Sequence, residues 1–127
     1  VNKYMNITPT IIKLLSVTLL LSAPHLLSAK DASGQHNTMG LGNNTCNAFV
    51  HEYDAHGAYY LSWLAGYMTA YNVYEEDTYS ILGDSKDVAQ LQTWLLDYCK
   101  LNGEQTFEHA VVNLMRNLKY FRLRTKN

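Results

Sequence analysis

The side chains able to do chemistry in this chain are few, and their spacing suits most reactions poorly. His36, His51, His56 and His109 are the candidate bases or metal ligands of the region after Lys30. His51 and His56 stand five apart, which separates them by about 140° on a helix of 3.6 residues per turn, so they cannot close on one ion from a shared face. Glu52 and His56 are four apart and do share a face, but that spacing is the ordinary one for a helical surface pair. Gly40-Leu41-Gly42 has glycines without the preceding strand and following helix that a phosphate cradle requires. No nucleophile with its base and no paired-carboxylate pattern is legible. The sequence therefore predicts a protein that is not an enzyme and has no cofactor, no metal and no small-molecule substrate.

Two cysteines remain, Cys46 and Cys99, too far apart for a CxxC redox motif. What they do depends on compartment. Lys3 and Lys13 precede an apolar run from Leu14 to Leu21, Pro24 and His25 interrupt it, and the small residues Ser28 and Ala29 follow. That is the order of a secretory signal, and the run falls short of the roughly 20 apolar residues needed to span a bilayer. Cleavage after Ala29 fits best, with Ala23 and Ala32 as alternatives. Export to the periplasm places both thiols where a pair normally oxidises to a bridge.

Removing residues 1–29 takes Lys3 and Lys13 from the ten basic residues and none from the eleven acidic ones, leaving eight positive against eleven negative charges, a net −3. A nucleic-acid partner is not expected from that balance. The charges are unevenly placed: Glu75, Glu76 and Asp77 form an acidic run, and Arg116, Lys119, Arg122, Arg124 and Lys126 crowd the end, with no acidic residue after Glu108. The basic end reads either as a complement to its own helix dipole or as a contact for an acidic partner or lipid headgroups.

The elements that must position these residues follow from periodicity. Residues 30–44, rich in glycine and asparagine, read as a flexible leader, with order beginning near Thr45. Cys46 to Asp54 is a short helix-compatible segment, and Asp54 to Tyr74 a long proline-free central helix. Leu61, Leu64, Ala65 and Met68 line one of its faces, and Tyr60, Trp63, Tyr67, Tyr71 and Tyr74 the adjacent one. Residues 75–85 read as a surface loop. A second helix should start at Asp84 or Ser85 and carry Val88, Leu91, Leu95 and Tyr98 to Cys99, with Asn102-Gly103 as a left-handed stop. Thr106 should cap a third helix with apolar positions Phe107, Ala110, Val111, Leu114, Leu118 and Phe121. The predicted fold is all-α: a small domain of three to four helices over residues 45–127, closed by one disulfide.

Ten tyrosines and two tryptophans are many for this length. The aromatic face Tyr60, Trp63, Tyr67, Tyr71, Tyr74 reads either as core with hydroxyls at the rim or as a surface that binds another protein, across a dimer included. Gly66 within it suggests a close helix–helix approach, since glycine in mid-helix is costly.

Thr45-Cys46-Asn47-Ala48-Phe49-Val50 resembles the T-C-x-x-F-[LV] opening of the HdeA/HdeB family of small periplasmic acid-stress chaperones. Cys99 followed by Phe107 looks like that family's second cysteine with its C-x7-F continuation, and Trp63-Leu64-Ala65-Gly66-Tyr67 is similar to its W-L-x-G-Y stretch. The likeness runs from about Thr45 to Leu118. It implies an all-helical fold with one bridge, a homodimer at neutral pH, and a client-binding surface released in acid. The chain is also similar to the Rap/Tai-type periplasmic immunity proteins, which implies instead a partner that is a secreted cell-wall amidase toxin. In both cases the implied partners are other proteins.

Overall fold

The computed structural model describes residues 31, 33–84 and 87–126. The export signal expected over residues 1–29 lies outside them. Residues up to His36 and residues from Asn37 on form two separate units. Of the first, the described part is a turn in which the Asp31 carboxylate accepts hydrogen bonds from the Gln35 amide at 2.8 Å and from the Ser33 hydroxyl and amide at 2.7 and 2.9 Å. These contacts, Gln35 foremost, hold its pKa below the ordinary carboxylate value.

The second unit is all-α, with helices α1 (Cys46–Tyr74), α2 (Val88–Leu101) and α3 (Phe107–Leu118), preceded by a 3-10 turn at Gly40–Asn43 and followed by another at Lys119–Phe121. Among the described residues the β contacts are two isolated bridges, Thr45 with Thr106 and Ser80 with Leu123. Cys46 and Cys99 form the expected disulfide.

Thr45 starts α1 by accepting the Ala48 amide on its hydroxyl at 3.2 Å, and nothing then stops the helix for 29 residues. The short segment expected before Asp54 is thus its first turns. Gly57, which could have broken it, is buried against the ring of Tyr53. The second start is later than the sequence suggested. Asp87, not Asp84, caps α2 by accepting the Gln90 amide at 2.8 Å, and Ser85 is outside the described residues. The delay has a physical cause: Ile81 is fully buried, its amide is held by the Asn72 side chain at 2.7 Å, and Gly83 lies against the Phe121 carbonyl with φ +69°. Residues 75–84 are therefore a packed loop, and a helix cannot begin until they have been set down.

α3 follows its pattern. Thr106 accepts the His109 amide at 3.1 Å, and Phe107, Ala110, Val111, Leu114, Met115 and Leu118 are buried on one face. Each large member stabilises the fold by about 1.5–3 kcal/mol through burial. Phe121 leaves that face, because the chain tightens into the 3-10 turn at Lys119, and it is exposed. Gly103 is not the left-handed stop expected of it. Asn102 ends α2 with its amide on the Cys99 carbonyl at 3.2 Å and its side chain on that of Tyr98 at 2.8 Å, and glycine at 103 leaves room for the Asn47 side chain, which a methyl group there would displace.

Three helix ends meet around the disulfide. The Cys46 amide donates to the Gln105 carbonyl at 2.8 Å, the Asn47 amide to Gly103 at 3.0 Å, and the Phe107 amide back to Asn44 at 2.7 Å. The first-turn amides of α1 and α3, which have no partner inside their own helices, thus satisfy each other's flanking carbonyls. Beneath them the rings of Phe49 and Phe107 lie 4.7 Å apart. With the cysteines 53 positions apart in sequence, the bridge should contribute about 4 kcal/mol in the chain-entropy description. Urea unfolding of the Cys46→Ala, Cys99→Ala double variant at neutral pH is expected to show a loss of that order; an unchanged midpoint would mean the junction holds without it.

Candidate functional site

The aromatic face proposed from sequence divides in two. Tyr60 is wholly buried, its ring 4.9 Å from Phe49 and 5.0 Å from Phe107. Its hydroxyl accepts from the Asn44 side chain at 2.8 Å and donates to the Glu52 carboxylate at 3.1 Å. Trp63, Tyr67 and Tyr71 continue up α1 half-buried, Trp63 lying 5.8 Å from Phe107 and 5.4 Å from Tyr67. Tyr74 stands away from this ladder, 84% exposed at the end of the helix. Leu61, Leu64 and Met68 turn to the other side, where with Leu82, Val88 and Leu91 they edge an apolar groove of about 290 Å³ whose lining has no titratable side chain.

The Tyr60–Trp63 end of the ladder is covered by a segment the sequence suggested was flexible. From Asn37 the chain folds over it: the Trp63 indole donates to the Met39 carbonyl at 2.8 Å, the Thr38 hydroxyl donates to Glu108 at 2.6 Å, and Gly42 is buried against the indole. Glycine is required at 42 because a Cβ would collide with Trp63 and Thr38. Glycine-rich composition here marks close approach, not mobility.

At the far end of the ladder the two charge clusters meet. Lys119 pairs with Glu75 at 2.9 Å and Arg124 with Asp77 at 3.1 Å. Arg122 donates to the Asp77 and Lys119 carbonyls at 3.3 and 2.8 Å. The hydrogen bond from Lys119 to Glu75 raises its pKa further above the usual lysine value. Backbone bonds fix the same contact, Leu123 donating to Ser80 at 2.9 Å and Tyr79 to Leu123 at 2.8 Å. Half-exposed ion pairs of this kind contribute about 0–1 kcal/mol each, so the backbone ladder and buried Ile81 carry most of the clasp. Pairing between the acidic run and the basic end was missed from sequence, although their opposite signs were the signal for it.

The histidines are not brought together: His51, His56 and His109 are exposed at separate places, and among the described residues no group of three or more His, Cys, Asp or Glu is placed to hold a metal ion. No helix among those residues is long and apolar enough to cross a membrane. Comparison with known protein families, with curated proteins and with solved structures finds no match for this chain.

Burial raises the pKa of Tyr60, Tyr67 and Tyr71 above the ordinary tyrosine value of 10.0, with nearby Glu52, Glu108 and Glu75 respectively adding to it. A raised phenol binds its proton more tightly folded than unfolded, so its contribution to stability is intact below pH 10.0 and is lost as pH rises further. Ultraviolet titration should show these three ionising late, together with a melting temperature that falls in alkali; ionisation of all tyrosines as one unshifted group contradicts the packing. For the cover, Gly42→Ala is expected to destabilise by about 1–3 kcal/mol through overpacking, read by urea unfolding with Trp63 fluorescence.

Proposed function

We propose that this chain is a periplasmic, disulfide-closed protein-binding domain that works as the HdeA-like chaperones do, shielding other proteins from aggregation in acid. The observation that carries the reading is the aromatic ladder Tyr60, Trp63, Tyr67, Tyr71, buried at one end and half-buried along the rest of α1. Several of its outer ties run through carboxylates: Thr38 to Glu108, Tyr60 to Glu52, Lys119 to Glu75 and Arg124 to Asp77.

In strong acid, with carboxylates protonated and histidines charged at their reference pKa values, the exported chain moves from −3 to about +12. The ion pairs of the clasp then become unopposed positive charges, and self-repulsion favours opening. The Cys46–Cys99 bridge limits that opening: α1 remains tied to α2 while the 37–44 cover and the 75–84 loop lift away. A chaperone built this way presents aromatic surface without unfolding completely.

A second reading, inhibition of a secreted cell-wall amidase toxin, is favoured by a different observation. Tyr74, Tyr120 and Phe121, 84%, 89% and 55% exposed, are sequence neighbours of the clasp residues Glu75, Lys119 and Arg122, and exposed aromatic side chains there suit a partner that binds that end of the molecule.

The two readings separate by pH. The bridged protein is expected to suppress aggregation of unrelated proteins, and to bind a hydrophobic dye, at about pH 2–3, below the reference carboxylate range, and to do neither at neutral pH. Absence of suppression in acid, with tight neutral-pH binding of one partner lost on Tyr120→Ala, would replace the chaperone reading with the second one.

A further inference from the structure

Trp94 belongs to neither the ladder nor the clasp. It stands half-buried on α2, with Gln90 and Tyr98 four residues to either side, the spacing at which side chains of a helix meet. The Tyr98 ring stacks on the indole, with centroids 5.1 Å apart and planes 15° from parallel. Tyr98 is held in turn, its hydroxyl accepting from the Asn113 side chain on α3 at 3.2 Å. The indole is thus fixed in place before a ligand arrives, which reduces the ordering cost of binding.

Beside it α2 and α3 leave a cleft of about 210 Å³. Leu91, Leu114 and Leu118, all nearly fully buried, are its apolar depth. Trp94 and Phe121 add aromatic surface, and Gln90 and Asn117 bring primary amides to it from exposed positions. Among the described residues no titratable side chain lines this cleft. Trp94 and Gln90 also line the adjoining surface of α2, where the charged groups are the carboxylates of Asp87 and Asp97, with the Thr93 hydroxyl between them in sequence. The Asp97 carboxylate has Lys100 at 3.5 Å, an exposed pair that water and salt weaken.

We propose that this cleft binds an uncharged glycan, with one pyranose ring against Trp94 between Gln90 and Asn117 and the next ring of the chain over Thr93 and Asp97. The volume is below the ~300–1,000 Å³ that holds a drug-sized ligand, so it takes a single ring. Amides around an apolar depth call for a ring with hydrogen-bonding edges and apolar faces. A nucleobase and a sugar both have that form, and charge decides between them. The phosphates of a nucleotide would meet Asp87 and Asp97 and be repelled. The hydroxyls of a neutral sugar donate to those same carboxylates, while its C–H groups pack on the negative face of the indole. Neither Tyr60 nor Trp63 takes part, so the inference does not rest on acid activation of the ladder.

Proton–nitrogen NMR of the disulfide-bonded protein at neutral pH, titrated separately with chitotetraose, cellotetraose and maltotetraose, tests it. At least one of the three should move the Trp94 indole resonance saturably, with a dissociation constant in the millimolar range or tighter, and the one that does so identifies the glycan. The Trp63 indole, bonded to the Met39 carbonyl, should stay in place. By calorimetry Trp94→Ala should weaken binding by about tenfold or more. Gln90→Ala, at an exposed position whose loss leaves the fold intact, should weaken it by about threefold to tenfold. No saturable shift with any of the three sugars overturns the proposal, as does binding indifferent to Gln90→Ala. So does a Trp94 shift produced by tetramethylammonium and by none of the sugars, which would assign the indole and its carboxylates to a cation.

Discussion

The rest of the structure depends on how two helix N-termini are satisfied at one point. A helix start exposes amides with no internal acceptor, and burying them unpaired would be costly. Here α1 and α3 solve the problem for each other: Cys46 and Asn47 donate into the 103–105 turn, and Phe107 donates back to Asn44. The Cys46–Cys99 bridge draws the end of α2 to the same place. Thr45 and Thr106 supply the remaining caps from their side chains. Polar pairing, a covalent link and the Phe49–Phe107 contact thus act within a few ångströms, and three helices leave the junction with their directions already set.

From that junction α1 runs for 29 residues, far longer than its companions, and must present several surfaces at once. The side with Tyr60, Trp63 and Tyr67 is covered by α3 and the 37–44 segment, the side with Leu64 and Met68 by α2 and the packed loop, and the third side by none of the described residues. The helix is stiff because its base is anchored; its upper half is held by lighter means, the clasp between residues 75–84 and the end of the chain. A strong base and a light clasp give the molecule a graded stability, in which the outer cover can move before the core does.

Much of this was legible because local patterns and tertiary packing agree. The α3 face from Phe107 to Leu118 keeps strict helical spacing, Thr106 is a good cap, and the two cysteines had only each other. The failures share a cause. Residues 37–44 and 75–84 lack periodicity, so they read as mobile leader and surface loop, yet each is fixed by contacts remote in sequence: Trp63 onto Met39, Asn72 onto Ile81, Arg124 onto Asp77. Gly42 and Gly83 look like flexibility and serve close approach. Within the aromatic face, spacing alone could not distinguish buried Tyr60 from exposed Tyr74, because that depends on where α3 and the cover end.

Residue-resolved amide hydrogen exchange tests the junction most directly. Amides in the first turn of a helix ordinarily exchange fast, as those of Val88 and Ala89 at the start of α2 should. The account predicts that the Cys46, Asn47 and Phe107 amides exchange as slowly as those of Leu95 and Leu114 in the core, opening only when the whole domain unfolds. Exchange of those three at the rate of Ala89 would contradict it.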